Sequence, residues 1–465
     1  MTNWDFNILS GVLETELVNA PENGIANFRG FSIDSRTIKS GEVFFAIVGD
    51  NNDGHQYVSQ AFEKGASVAV INKSQIDKIK SSMTGPLFIV EDTHVALLEI
   101  AAYLRRHMET SFAGVTGSNG KTTTKEMLYA IADVNHKAFR SPGNLNNLYG
   151  LPISLGMMPE DTEYAVFELG ISTPGEMSRL AAVIKPELAL ITNIGPAHLE
   201  TLGSIENVVK AKFELIDTLP VGALVVLNAD DTNLMTEAKR RNLSFIGFGI
   251  DNPTDFTATD LDVTEDGLRT FVVNGQQITL NAIGRVNVYN ALAAIAASSV
   301  WGCLPEEWSK GLNAFIPDDL RMKQEQFNGL QLLIDCYNAN PDSVSASLEA
   351  VKELNVSARK IAVLGDMLEL GSSSDDLHRK AGQMAADAGI DYLFCLGPQS
   401  RHIRDGAISS GMNEGSVMHT EDKQDLLDSL LKIIEQGDLI LFKASRGMEL
   451  EKIIHGLKAS AFKNN

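Results

Sequence analysis

Cysteine is almost missing: Cys303, Cys336 and Cys395 are the only three in 465 residues, odd in number and widely spaced. That excludes a disulfide framework and offers no zinc-knuckle spacing, so the thiols are expected to be buried. No stretch of about 18 apolar residues runs uninterrupted. The start, Met1-Thr-Asn-Trp-Asp-Phe6, has no basic region leading into an apolar one. No membrane insertion is expected, and the chain is expected to be cytoplasmic. Positive charge is also short, with 39 Lys and Arg against 60 Asp and Glu for a net −21, which argues against nucleic acid or an anionic membrane as the main partner. Fixed-period repeats and low-complexity tracts are absent too. What remains is 44% hydrophobic content, enough for a fully globular protein, over a length that suggests about three domains.

Residues 1–107 carry apolar segments at Val43 to Val48 and Ser67 to Ile71 and a helical stretch from His94 to His107. Residues 108–317 read as a βα series, with short apolar strands at Ala165 to Leu169, Leu188 to Thr192 and Ala223 to Leu227. Each strand runs into polar residues at its carboxyl end, as in a parallel sheet. Thr259 to Leu280 alternates instead, with Gly267 and Asn274-Gly275 as turn signals, and reads as an antiparallel ribbon. After a hinge at Pro317-Asp-Asp-Leu320, βα units resume in 318–465, with strands at Leu330 to Ile334, Lys360 to Leu364, Tyr392 to Leu396 and Asp438 to Phe442. The expected fold is α/β in three domains: a smaller N-terminal one, a central parallel-sheet domain of the P-loop ATPase kind, and a Rossmann-like C-terminal one.

The chemistry is announced at Gly114-Val-Thr-Gly-Ser-Asn-Gly-Lys-Thr-Thr-Thr124. A strand from Phe112 to Val115 and a helix from Thr122 to Val134 flank a glycine turn, which aims backbone N–H groups and a helix N-terminus at phosphate oxygens. Gly117 and Gly120 allow close approach, Lys121 supplies a charge for the β- and γ-phosphates, and Thr122 offers a hydroxyl to Mg²⁺. The spacing is T-G-x-x-G-K-T, shorter than the general motif, with Val115 where the first glycine would stand.

Glu168 ends one strand and His198 follows another, so both fall at the sheet edge that carries the loop, and with Thr122 they could hold Mg²⁺. Lys210 and Lys212 lie on a helix about 200° apart, so only one can face the site. For either one a solvated face is the ordinary outcome. Asn287 and Asn290, before the alanine-rich stretch Ala291 to Ala297, could offer amides to an adenine edge or could cap that helix. Asp335-Cys-Tyr-Asn-Ala-Asn-Pro-Asp-Ser343 is too long for an Asn-Pro turn alone.

These motifs, taken in order, resemble the Mur ligases of peptidoglycan synthesis over nearly the whole chain. The resemblance rests on Thr116 to Thr122, Thr124-Lys-Glu-Met127, Ser141-Pro-Gly-Asn-Leu-Asn-Asn147, Glu168-Leu-Gly170 and Ala197-His-Leu-Glu200. It rests equally on the Asp335–Ser343 segment and Leu364-Gly-Asp-Met-Leu-Glu-Leu-Gly371. The resemblance implies ATP-dependent ligation of D-alanyl-D-alanine to a UDP-N-acetylmuramoyl-tripeptide by a monomer. It implies ATP contacts at Gly117, Ser118, Asn119, Gly120, Lys121, Thr122 and Thr123, with Asn287 and Asn290 at adenine, Arg321 at phosphate and Asp335 at ribose. Two Mg²⁺ ions would be held by Thr122, Glu168, His198 and Lys212, the last as a carbamate, because it falls fourteen residues after His198 at the family's carbamylated position. Substrate contacts would come from Ser35, Arg36, Asp53 and His55 in the family's uridine loops, and from Asn144, Asn146, Tyr337 and Asn340. Val286 departs from the pattern, since related sequences often carry His there.

Other readings fit less well. The ligase adding the third peptide residue and folylpolyglutamate synthetase share the nucleotide core, but the Asn-Leu-Asn-Asn and Asn-Ala-Asn-Pro segments speak against both. A GTPase switch wants N-K-x-D after the loop, whereas Asn72-Lys73 precedes it. A catalytically dead binding protein conflicts with Lys121, Glu168, His198 and Lys212 occurring together.

Overall fold

The computed structural model describes residues 4–22, 24, 27–49, 52–79, 85–264, 267–354 and 359–460. It is a mixed α/β chain in two interleaved compact units, the first being Met1–Thr116, Asn135–Ala189 and Glu214–Leu224, and the second Gly117–Val134, Leu190–Phe213 and Val225–Asn465.

In the first unit, Phe31–Ser32, Val43–Phe45, Val68–Asn72 and Leu87–Val90 pair in that order as parallel strands. Their near-continuous apolar runs are what a parallel sheet covered on its faces requires. The strand at Val43 stops at Phe45, short of the apolar run's end: the chain turns, and Val48 is left exposed in an isolated bridge to Asp53. The helix Thr93–Arg106 is capped by the Asp92 carboxylate, which accepts from the His94 and Val95 amides. Its buried Ala96, Leu97, Ile100, Ala101 and Leu104 recur at helical spacing. A second parallel set, Ser111–Thr116, Tyr164–Glu168 and Ala138–Arg140, brings Val115 level with Glu168.

In the second unit, Leu224–Asn228, Ile246–Gly249 and Phe256–Val263 run parallel, and Arg269–Val273 and Gln276–Leu280 continue antiparallel. The ribbon read from the sequence is therefore present. Its two-residue turn has Asn274 at φ 48° and Gly275 at φ 80°, the left-handed pair that a tight hairpin demands. The alanine-rich helix begins earlier than the sequence suggests, spanning Arg285–Val300 with Gly284 at its cap. Asn287 and Asn290 thus sit inside its first turns, which removes the capping explanation for them. The C-terminal sheet has the order Lys323–Phe327, Leu330–Ile334, Leu439–Lys443, Lys360–Gly365, Tyr392–Leu396 and Val417–Thr420. Only its first pair is antiparallel. Alternate residues enter two separate cores, Ala362 and Leu364 on one face and Ile361 and Val363 on the other, as in a doubly wound sheet. The three cysteines are buried free thiols. No helix among the described residues is long and apolar enough to cross a membrane.

Candidate functional site

The phosphate loop is shaped by what its glycines exclude. Gly117 stands at φ 150° and Gly120 at φ 81°, and a Cβ on either would fall 1.9 Å from Thr192 Oγ1 or 2.2 Å from Asn290 Oδ1. The loop is also tied to the end of a neighbouring strand. The Ser118 and Asn119 amides donate to the Asn193 carbonyl (3.0 Å) and to Asn193 Oδ1 (2.8 Å), while Thr192 Oγ1 donates to the Asn119 carbonyl at 2.6 Å. Sequence reasoning misses Asn193, although its place at a strand's carboxyl end is the signal that could have found it.

Two lysines converge on one carbonyl. Lys121 opens the helix Lys121–Ala132 and donates from Nζ to the carbonyls of Gly117 (2.8 Å) and Ser118 (3.2 Å). Lys212, on the helix Ile205–Asp217, is buried and donates to the same Gly117 carbonyl at 2.9 Å. Burial first, and then the charge of Lys121, push the Lys212 ammonium well below the usual lysine range. Lys210 is exposed, so the two-residue offset separates them as the helical wheel requires.

Thr122 and Thr123 line a shallow cleft together with Glu126, Asn287, Phe315, Pro317, Asp318 and Arg321. The Arg321 guanidinium lies 3.8 Å over the Tyr337 ring, a cation–π contact that fixes its plane. Asn287 donates to the Ile283 carbonyl (2.8 Å) and accepts from Asn290 (2.9 Å), and Thr124 Oγ1 donates to Asn290 Oδ1 at 3.3 Å. Each amide retains hydrogen-bonding capacity beyond these bonds. Asp335 is heavily engaged: Lys443 Nζ and Ser347 Oγ both donate to its Oδ2 at 2.6 Å, and the Met322 amide to its Oδ1 at 3.2 Å. Asn340 caps the helix Pro341–Glu353 and donates to Asn119 Oδ1 at 2.8 Å, so the Asn-Ala-Asn-Pro segment touches the phosphate loop itself. His198 is held by Glu369, with Nδ1 and Oε2 2.6 Å apart.

Glu168 belongs to the first unit. It is buried, its amide donates to Ser141 Oγ at 3.1 Å, and its Oε1 accepts from Asn146 Nδ2 at 2.8 Å. Asn146 therefore orients that carboxylate, while Asn144 is exposed. Among the expected uridine residues, Ser35 Oγ donates to Gln60 Oε1 (2.6 Å), and the exposed Arg36 forms a fork with Asp34 (2.7 and 2.9 Å). His55 is buried. Its Nε2 accepts the Asn72 amide at 2.9 Å, so Nδ1 carries the proton directed at Asp53 Oδ1, 2.6 Å away.

Three family models match the chain: "Mur ligase family, catalytic domain" over residues 27–110, "Mur ligase middle domain" over 115–298 and "Mur ligase, glutamate ligase domain" over 320–446. A UDP-N-acetylmuramoyl-tripeptide–D-alanyl-D-alanine ligase of Bacillus subtilis (strain 168) is 36% identical over 431 residues, 92% of this chain and 93% of that one. A crystal structure of MurF from Acinetobacter baumannii superposes with a TM-score of 0.89 at 27% identity over 99% of each chain. MurF from Thermotoga maritima in complex with ADP gives 0.82 at 26% identity, over 94% of this chain and 99% of that one.

Proposed function

This chain belongs to the Mur ligase family, and on that premise we propose that it joins D-alanyl-D-alanine to UDP-N-acetylmuramoyl-tripeptide at the expense of ATP. Residues 1–107 would hold the UDP end, 108–317 the ATP, and 318–465 the dipeptide. The chain would act as a cytoplasmic monomer. The observation that carries this reading is the phosphate loop, whose glycines tolerate no side chain and on whose Gly117 carbonyl Lys121 and Lys212 converge.

A carboxylate is a poor electrophile, so amide formation in water needs a better leaving group. The tripeptide carboxylate oxygen attacks the γ-phosphorus and ADP departs, leaving an acyl phosphate. Lys121 swings from its loop carbonyls to the oxygens of the transferring group, where its charge matters most. The dipeptide amine then attacks the acyl carbon, and the tetrahedral intermediate collapses with loss of phosphate and of the amine proton. Arg321, its plane set by Tyr337, would pair with a phosphate oxygen, and the Asn340–Asn119 bond would link the loop to the C-terminal segment. Bound Mg²⁺ would neutralise phosphate charge.

The donor types that the resemblance assigns to that ion suit it: the Thr122 hydroxyl and Glu168 carboxylate are hard oxygens, and His198 adds a ring nitrogen. Lys212 fits only after modification. Its amine is held toward the neutral form, as attack on CO₂ requires. A new N–C bond forms, a proton leaves, and an anionic carbamate with two oxygens replaces a cation. A ¹³C-bicarbonate-labelled chain should then show a carbamate carbon signal that Lys212→Ala abolishes. Acetate should restore part of the lost activity.

The decisive assay is phosphate release from ATP with UDP-tripeptides bearing lysine or meso-diaminopimelate and a panel of dipeptides. Release that needs UDP-tripeptide, D-alanyl-D-alanine and Mg²⁺ together supports the reading. Equal release with a folate and glutamate refutes it.

A further inference from the structure

His198 and Glu369 lie 171 residues apart in sequence, yet both adopt the left-handed backbone that L side chains rarely enter, at φ 55° and 63°. Two contacts join their loops. The Glu200 amide donates to the Glu369 carbonyl at 3.1 Å, and His198 Nδ1 meets Glu369 Oε2 at 2.6 Å. The Glu369 loop is itself anchored from behind. The Met367 amide donates to His378 Nε2 and the Leu368 amide to Ser445 Oγ, both at 2.9 Å. The backbone bond ties the two loops without using the carboxylate. The carboxylate, delivered by a strained and anchored backbone, adds one thing: it fixes which ring nitrogen of His198 bears the proton and which way the ring faces.

We propose that Glu369 is a positioning residue for His198, accepting its Nδ1 proton so that Nε2 is the nitrogen offered to the phosphate-bound divalent cation. This rests on the reading of His198 given above. An imidazole that ligates a metal through one nitrogen ordinarily donates the other N–H to a carboxylate or carbonyl, and loss of that partner weakens metal binding about 10- to 100-fold. Thr201 and Leu202 donate their amides to the His198 carbonyl at 3.2 and 2.9 Å, so the residue's backbone is fixed independently and only the ring's rotation and tautomer are left to Glu369.

Mn²⁺ serves as the probe, with free ion counted by electron paramagnetic resonance in the full chain with UDP-tripeptide and a non-hydrolysable ATP analogue. Glu369→Gln, nearly isosteric and retaining the loop backbone, should weaken Mn²⁺ binding about tenfold, as should His198→Ala. The double variant should be no worse than either single one, and Glu369→Asp should recover part of the loss. The inference is overturned if Glu369→Gln leaves Mn²⁺ affinity unchanged, or if its effect persists undiminished in the His198→Ala background, which would mark Glu369 as a strut between loops. Thermal midpoints recorded alongside separate misfolding from lost affinity. A wild-type chain that ligates normally while its Mn²⁺ affinity ignores Glu369 refutes this inference alone. One that binds Mn²⁺ as expected but ligates nothing refutes the proposed function alone.

Discussion

The phosphate loop and the loops around Arg36 and His55 are both expected to grip phosphate-bearing ligands, yet they are built in opposite ways. At Gly117–Thr122 the buried Ser118 and half-buried Asn119 and Lys121 are tied to Asn193, Thr192 and the Gly117 carbonyl, and the two glycines leave no room for a Cβ. At Asp34–Arg36 the guanidinium is four-fifths exposed and its partner is two residues away, an arrangement of little consequence to stability. The first loop must keep its shape while charge moves through it, whereas the second only has to offer a cation to a ligand. Sensitivity to substitution should therefore be catalytic and steep in one region, and confined to substrate affinity in the other.

The largest effect is expected at Lys121. Lys121→Ala should lower kcat on the order of 10²- to 10³-fold, the usual cost of removing one group that stabilises developing charge, with a smaller change in KM for ATP. The substitution also removes the lesser of the two causes that depress the Lys212 ammonium, while burial, the larger, stays. The carbamate signal should therefore survive in Lys121→Ala. If the signal vanished, the two lysines would be one coupled device and not two separate ones.

Gly120→Ala comes next. The new Cβ would meet Asn290 Oδ1 at 2.2 Å from a backbone at φ 81°, and Asn290 is held by Asn287 and Thr124. A displacement of about 1 Å at the phosphates costs on the order of 10²-fold in kcat/KM. Adding Asn290→Ala should recover part of it by removing the clash, leaving the φ strain. No recovery at all would mean that backbone strain alone sets the loop, and that Asn290 matters elsewhere.

How legible this was follows from the range of each contact. The loop and its flanking strand and helix depend on neighbours within a turn or a strand, and periodicity reveals them; it also sets Lys210 and Lys212 on different sides of their helix, but only the resemblance singles out Lys212, the one that is buried. Alanine content signals helix more strongly than Arg-Val-Asn-Val-Tyr does, so local pattern alone puts Asn287 and Asn290 at a helix start. Packing of Val288 and the amides' own bonds to Ile283 and to each other extend the helix over them. The Glu369–His198 pair and the Asn340–Asn119 bond join segments 171 and 221 residues apart, and no local pattern encodes them.

Arg36→Ala tests the other region. The loss should be that of one charge-assisted hydrogen bond, about a tenfold rise in KM for UDP-tripeptide, with kcat and KM for ATP nearly unchanged. Stability should hardly move, because the ion pair lost is solvated, with Arg36 four-fifths exposed and Asp34 only part-buried. Equal rises in both KM values would show that the region shapes the fold and does not merely present a charge.

His55 is where the comparison is most easily broken. The resemblance assigns it to substrate, but its buried ring is already used at both nitrogens, receiving the Asn72 amide and donating to Asp53. In this geometry it is a brace that holds the Asp53 turn against the strand Val68–Asn72. Removing it leaves a backbone donor without its acceptor, which costs about 1–3 kcal/mol when the group is buried. His55→Ala should therefore lower the unfolding free energy in a denaturant titration by that amount, while the folded fraction shows nearly normal KM for both UDP-tripeptide and ATP. His55→Gln, whose amide can accept the Asn72 proton, should restore part of the stability. If His55→Ala instead raised KM for UDP-tripeptide more than Arg36→Ala does, with no loss of stability, the histidine would be touching ligand. The first-unit loops would then be held in shape for their ligand just as the phosphate loop is, and the contrast between the two regions would fall.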